Sequence, residues 1–300
     1  MPDVTPQPAG RFAPSPSGPM HLGNARTALL AWLDARSRGQ RVVLRIEDLD
    51  RGRCRPEYSD LARQDLQWLG LDWDAETPPQ SARTAAYEAA VGRLRADGLV
   101  YECYCSRGEL AAASAPHGGE RRYPGTCRSL TPRQRAARAA GRRPALRVRL
   151  PDRDLTVTDR LHGALTENPQ AAAGDIIVRR SDGVHAYQLA VVVDDAADGV
   201  TDVVRGDDLL ASAARQAALQ DLLGLPRVVY AHVPLMLGPD GARLAKRHGA
   251  VAIQELRESA RTPAQVVGEL AGSLGLAPPD ASPTPAELAR GFDLQTLSSL

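Results

Sequence analysis

The sequence predicts an α/β fold: a Rossmann-like parallel sheet flanked by helices, with an inserted α+β module and a mostly helical C-terminal region. Three observations predict it. Residues 10–47 run strand, Gly/Pro-rich loop, helix, strand. After residue 102 the chain becomes polar, arginine-rich and punctuated by Gly and Pro to about residue 150. From residue 186 buried, apolar character returns, and beyond residue 257 the chain is Ala/Leu-rich and helical with proline breaks. The boundaries that follow are 10–102 and 186–232 for the two halves of the sheet domain, 103–185 for the insertion and 233–300 for the C-terminal region.

Gly10-Arg11-Phe12-Ala13 is short and apolar enough for a strand. Pro14, Ser15, Pro16, Ser17 and Gly18 then break regular structure. From Ala25 the pattern turns helical, with Ala25, Leu29, Leu30, Trp32 and Leu33 near one stripe and Gly39 at the expected stop. The run from Val42 to Glu47 reads as the second strand. The intervening loop lies at the carboxyl end of a strand and the amino end of a helix, where such folds bind phosphate. Gly18 and Gly23 let backbone approach a ligand closely, and His21 can donate to a phosphate oxygen.

Residues 57–69 read as a helix stopped by Gly70, and residues 83–97 as another stopped by Gly98. Within the insertion, residues 154–180 hold strand-like pieces, residues 176–179 among them, and Asp182-Gly183 marks a tight turn. The apolar run of residues 186–195 begins the second half of the sheet domain, and residues 200–205 give a further strand. Gly206-Asp207-Asp208 opens a helix to about Leu223, with Gly224 beyond it. Val233-Pro234-Leu235-Met236-Leu237, a turn at Pro239-Asp240-Gly241, and Arg243-Leu244-Ala245-Lys246-Arg247-His248-Gly249 follow.

A chain of 300 residues can bury an ample core, and its net charge of +1 does not announce a nucleic-acid partner. The distribution of charge says more. Residues 121–150 hold ten arginines and no acidic residue, a local field suited to phosphate backbones or a solvated face. The chain has 36 arginines and one lysine, Lys246. A lone lysine in such company fits a place where a compact ammonium cannot be replaced by a guanidinium fork. No apolar run is long enough to span a membrane, and the proline-rich N-terminus lacks the pattern of a signal peptide. The cytoplasm is therefore the expected compartment. Of the four cysteines, Cys103, Cys105 and Cys127 lie within 25 residues, which points to metal before disulfide. Cys54 has no partner in this pattern.

The run from Arg11 to Arg26, with His21-Leu22-Gly23-Asn24 at its centre, resembles the first signature of class I aminoacyl-tRNA synthetases in its glutamyl form. Arg45-Ile46-Glu47-Asp48, the run from Tyr187 to Asp195, and Val204-Arg205-Gly206-Asp207-Asp208 resemble further stretches of the same branch. The run from Arg243 to Arg247 resembles the second signature, with arginine for its first lysine and Ala245 for its serine. The resemblance covers residues 10 to about 255 and implies the class I synthetase fold.

The resemblance also implies roles. His21 and Lys246 would be catalytic, and Gly18, His21, Gly23, Asn24, Arg243 and Lys246 would hold ATP, with Mg2+ beside it. Arg11, Phe12, Ala13, Pro14, Ser15, Glu47, Tyr187 and Arg205 would form the L-glutamate site, guanidinium groups facing carboxylates and Glu47 facing the ammonium. Which arginine takes which carboxylate stays open. An asparagine of some full-length members is Val191 here. Cys103, Cys105 and Cys127 with Tyr123 match the branch's zinc module, one Zn2+ per chain, with His117 the conventional rival for the fourth place.

No anticodon-binding domain is expected. The resemblance is instead to short paralogues of the branch, which activate glutamate without tRNA and esterify queuosine at the wobble position of tRNA(Asp). The expected partners are then L-glutamate, ATP and the anticodon loop of tRNA(Asp), and a monomer is expected. Recognition of a modified base in an unpaired loop is a usual mode of selective RNA binding. A minimal glutamyl-tRNA synthetase charging a 3′ end is the first alternative, and a non-catalytic RNA-binding adaptor is the second.

Overall fold

The computed structural model describes residues 7–106, 108–110, 122–238 and 251–299. His117, the turn at Pro239-Asp240-Gly241, Arg243, Ala245 and Lys246 lie outside the described residues.

Seven strands form one sheet: β1 (Ala9–Phe12), β2 (Arg41–Arg45), β3 (Ala75–Thr77), β6 (Leu155–Asp159), β7 (Gly163–Glu167), β9 (Asp202–Gly206) and β10 (Val229–Val233). Their order is β3-β2-β1-β9-β10-β6-β7. All neighbours are parallel except β6 and β7, which form an antiparallel hairpin. From β1 the chain proceeds outward to β2, and from β9 it proceeds outward on the other side to β10. The β1/β9 boundary is thus the point where strand order reverses, and ligands of open α/β sheets bind beyond the carboxyl ends of strands at such a point.

A second sheet is antiparallel, in the order β4 (Val100–Cys103), β5 (Ala145–Val148), β8 (Ile176–Arg179). The stretch expected as insertion therefore divides. Residues 155–167 extend the main sheet through Tyr230 on β10, which pairs with Asp159 on β6. Residues 100–103, 145–148 and 176–179 form the separate small sheet. β6 alternates plainly, with Leu155, Val157 and Asp159 buried, but alternation does not say which sheet a strand joins, and its partner Tyr230 lies 71 residues further on.

Helix α1 (Leu22–Ser37) begins three residues before the first periodic position, because the His21 side chain caps it by accepting from the Asn24 N–H at 3.4 Å. α1 is buried on nearly every side. It packs on β1 and β9 beneath and against the helices Pro263–Gly272 and Pro285–Ala289 above, so no polar face is needed. Helix α2 (Pro56–Trp68) and helix α3 (Thr84–Ala96) form close to where the sequence places them.

The apolar run from residue 186 folds as a helix, Tyr187–Ala197. Residues 207–223 split into a 3₁₀ segment, Asp207–Ser212, and an α-helix, Ala213–Leu223, which Gly224 ends in left-handed geometry. One core joins α1, β2, α2 and the C-terminal helices. Another joins α3, the small sheet and the helices of residues 187–197 and 213–223. Among the described residues, no helix is long and apolar enough to cross a membrane.

Candidate active site

Alternation along β1 sends Arg11 and Phe12 to opposite faces. Arg11 is 6% exposed, its Nη1 donates to the Val204 carbonyl at 3.2 Å, and its Nε lies 3.7 Å from Asp195 Oδ1. That Nε is buried without a hydrogen-bond acceptor. Phe12 turns its ring to the core of α1, β2 and α2. It can offer an amino-acid pocket only main chain. Glu47 lies just past β2, its N–H donating to the Pro14 carbonyl at 3.0 Å, so the loop after β1 is stitched to the end of β2.

Glu47 does not stand alone. Arg45, fully buried, donates from Nη2 to Glu47 Oε1 at 3.2 Å and to Asp195 Oδ1 at 2.7 Å, and from Nη1 to Asp198 Oδ2 at 3.0 Å. Asp194 in turn takes hydrogen bonds from Tyr87, Gln80 and Arg83. This network fixes Asp194 and Asp195 of the helix Tyr187–Ala197, and Asp198 just past it, against the end of β2 and the chain at residues 80–87. Burial pushes the Glu47 carboxyl up, and Arg45 and Arg11 pull it back toward the ionised form. Tyr187 opens that helix. Burial raises its phenol, as does the Glu47 charge, while Arg205 and Arg11 oppose. Tyr187, Glu47, Arg11 and Arg205 therefore share one electrostatic environment.

Arg205 on β9 is buried, with its guanidinium 4.7 Å over the Tyr230 ring. Its Nε donates to His232 Nε2 at 3.0 Å, its Nη1 to Gln216 Oε1 at 2.7 Å and its Nη2 to the Leu209 carbonyl at 3.2 Å. Gln216 donates to Gln188, and Gln188 to Ser212, closing the chain of bonds around the end of β9.

At the amino end of α1 sit His21, Gly23 and Asn24, all half-buried. A β-bridge joins His21 to Ala252, and the Ile253 N–H donates to the Met20 carbonyl at 2.8 Å. The first signature is thus tied to the chain just past residue 250. A Cβ at Gly23 would come within 3.1 Å of the His21 ring, so glycine is what lets the imidazole lie over the helix start. Gly18 is half-buried and Ser15 exposed in the same loop. The structure therefore gathers Arg11, Glu47, Tyr187, Arg205 and His21 around the end of the sheet, while Arg243 and Lys246 lie outside the described residues.

The cysteines come together as the spacing predicts. The thiol sulfurs of Cys103, Cys105 and Cys127 lie within 4.8 Å of one another, with Cys105 and Cys127 at 3.6 Å. The Tyr123 hydroxyl is 3.5 Å from Cys103 Sγ and accepts from the Cys127 N–H at 2.8 Å. A tetrahedral zinc with bonds of about 2.3 Å to sulfur and about 2.0 Å to oxygen has edges of about 3.8 and 3.5 Å. The donor set and its spacing therefore fit such an ion. Arg147 donates to Cys103 Sγ at 3.3 Å and covers the Tyr123 ring at 3.7 Å, a cation suited to a thiolate. Among the described residues no histidine joins the group.

Sequence reasoning gave no role to Arg45, Asp159, Asp194, Asp195, Gln216 or His232. The signal that could have found Asp194 and Asp195 was their pairing at the end of an apolar helix, where two carboxylates need a buried cation. Asp159 ends β6, within the stretch 154–180 expected to hold strand-like pieces, whereas the strand that carries His232 was not anticipated.

Residues 9–282 match the family described as tRNA synthetases class I (E and Q), catalytic domain. The Glutamyl-Q tRNA(Asp) synthetase of Symbiobacterium thermophilum is 54% identical over 299 residues, covering 95% of this chain and 92% of its own. That of Nocardia farcinica is 54% identical over 287 residues, covering 95% of this chain and 89% of its own. The crystal structure of a glutamate tRNA ligase from Elizabethkingia meningosepticum, in complex with its amino acid, superposes with a TM-score of 0.82 at 26% identity. That superposition covers 97% of this chain but 65% of the ligase. The matching fold, the shared signatures and identity above one half over nearly the whole length agree: the chain belongs to the class I tRNA synthetases of the E and Q group, in the branch of the glutamyl-Q tRNA(Asp) synthetases.

Proposed function

We propose that the chain activates L-glutamate with ATP in the absence of tRNA and passes the glutamyl group to queuosine at the wobble position of tRNA(Asp), in the cytoplasm. The observation that carries this reading is the convergence of two buried arginines, Arg11 and Arg205, with Glu47 and Tyr187 at the reversal point of the sheet. Glutamate has two carboxylates and one ammonium, and this set offers two guanidinium groups and a carboxylate. The unbonded Arg11 Nε is a donor in want of an acceptor.

In the proposed reaction a glutamate α-carboxylate oxygen attacks the α-phosphorus of ATP. The bond to the bridging oxygen breaks and pyrophosphate leaves with its electron pair. A hydroxyl of the queuosine diol then attacks the acyl carbon, losing its proton, and AMP leaves. The first step needs positioning and charge neutralisation more than covalent help. His21 and the amino end of α1 would face the phosphates, with Gly18, Gly23 and Asn24 lining their path. Arg243 and Lys246 would neutralise the leaving pyrophosphate, together with Mg2+. Cys103, Cys105 and Cys127, with Tyr123 in fourth place, would hold one structural Zn2+, closing the module that meets RNA.

The test is pyrophosphate exchange into ATP, then transfer of labelled glutamate. Exchange should depend on glutamate, proceed without tRNA and be poor with aspartate, whose shorter side chain misplaces one carboxylate. Label should pass to tRNA(Asp) carrying queuosine and not to the same tRNA lacking it. Charging of tRNA(Glu) at its 3′ end instead would establish the alternative acceptor, and no exchange at all would leave only a binding role.

A further inference from the structure

We propose that His232, oriented by Asp159, is a positioning residue that fixes the Arg205 guanidinium for a carboxylate of the amino-acid substrate; this rests on the functional reading above. His232 lies on β10 between β9 and β6, fully buried, and Asp159 ends β6. Asp159 Oδ2 accepts from His232 Nδ1 at 2.6 Å and from the His232 N–H at 3.1 Å. Its Oδ1 accepts from the Leu161 and His162 N–H groups, each at 2.9 Å. Burial opposes ionisation of this carboxyl, yet those bonds hold it down to about 2. An ionised, acceptor-only Asp159 requires the proton of His232 on Nδ1.

The other ring nitrogen then carries a lone pair, and Arg205 Nε donates to it at 3.0 Å. A protonated His232 would turn N–H against N–H. Burial keeps the imidazole neutral, and the Arg205 charge adds to that, against the pull of Asp159. Nδ1 donating and Nε2 accepting is thus the one arrangement that satisfies both neighbours.

The consequence falls on Arg205. Three of its five N–H groups are spent on His232, Gln216 and Leu209, and its plane rests on Tyr230. Rotation about the terminal bonds is thereby blocked, and the two remaining N–H groups point in fixed directions. A guanidinium oriented before the ligand arrives does not lose that freedom on binding, so the gain appears as affinity. Interactions equal in ground and transition states move KM and leave kcat.

The test compares His232→Leu, His232→Gln and Asp159→Asn with the unaltered protein by glutamate-dependent pyrophosphate exchange. His232→Leu keeps bulk without an acceptor and should raise the glutamate KM at least about tenfold while the ATP KM changes little. His232→Gln restores an oxygen near the Nε2 position and should recover most of the loss. Asp159→Asn lets the side-chain amide donate to Nδ1, which moves the ring proton to Nε2 and sets it against Arg205. It should mimic His232→Leu, as a wrong tautomer does in a triad. A double variant should then be no worse than either single one.

Thermal unfolding identifies which variants fold, and a folded His232→Leu or Asp159→Asn decides the matter. A folded His232→Leu or Asp159→Asn with an unchanged glutamate KM overturns the proposal. So does a loss shared equally by the KM for ATP or confined to kcat. Absence of exchange in the unaltered protein would sink the functional reading instead. Glutamate binding to the same variants, measured by calorimetry, would still decide the role of His232.

Discussion

Asp65 shows how much a single side chain can cost. It sits on the inner face of α2 with both oxygens buried and neither hydrogen-bonded. Arg257 approaches to 3.6 Å, too far for a direct bond. Burial raises this carboxyl and Arg257 lowers it, and the balance carries it from 3.8 up to about 6. A raised carboxyl means that the folded state holds its proton to higher pH than the unfolded state. The group is therefore harmless at acid pH, and its penalty grows as pH rises from about 4 through 6. Two units correspond to about 3 kcal/mol at neutral pH, with the pull of Arg257 already counted. Asp65→Asn should thus raise stability by about 1–3 kcal/mol at pH 7, with the gain largely gone by pH 4. Denaturant unfolding at both pH values checks this, and a gain equal at the two would mean that charge is not the cause.

At the scale of elements, the short helix Pro169–Ala173 supports the cysteine cluster without touching it. The Tyr123 N–H donates to the Ala173 carbonyl at 2.8 Å, and Gly174 follows with a φ of 69°. A Cβ at Gly174 would lie 2.1 Å from the Tyr123 carbonyl oxygen. Backbone cannot yield like the end of a flexible side chain, so Tyr123 must move. Gly174→Ala should cost about 2 kcal/mol or more and lower the metal content of the purified protein. Loss of stability with full metal content would show that the helix supports the fold but not the cluster.

Legibility also divides at this scale. The unit β1–α1–β2 was plain because its apolar stripe, its loop and its stop glycine agree. β10 was not, since Tyr230 and His232 alternate with smaller residues and their side-chain polar atoms find partners only in space: Gln216 on the helix Ala213–Leu223 for Tyr230, and Asp159 on β6 and Arg205 on β9 for His232. The helix at residue 187 shows the same limit: consecutive apolar residues do not distinguish a buried strand from a buried helix. Arg11, Glu47, Tyr187 and Arg205 were found through their motifs; Arg45 stands in the motif of Glu47, but its bond to Asp195 spans 150 residues and that between Asp159 and His232 spans 73, and pairings at such separations leave no local pattern.

Across the whole molecule, the cysteine cluster and the proposed glutamate site lie on different sheets, and this sets what metal removal should do. Cys103 ends β4 of the small antiparallel sheet, whereas Arg11 and Arg205 sit on strands of the main sheet and Glu47 lies just past one. The two are nonetheless coupled. Leu146, Val148 and Val178 of the small sheet share a core with Leu189 and Ala190, from the helix that Tyr187 opens. A closed structural zinc holds a small module that has little core of its own, and here that core is a handful of tyrosines and cysteines. Metal analysis should find about one zinc per chain, with Cys105→Ser losing it. Tyr123→Phe compared with His117→Ala should identify the fourth ligand. The metal-free protein should unfold at lower temperature. Below that transition it should retain most of its tRNA-independent exchange, because the main sheet keeps its own core around α1. Transfer to RNA should fall much further, since the exposed arginines at 133, 135 and 143 are carried by the module that the metal closes. Equal loss of both activities below the transition would mean that the shared core transmits the damage to Tyr187, and the two sheets would then have to be regarded as one unit.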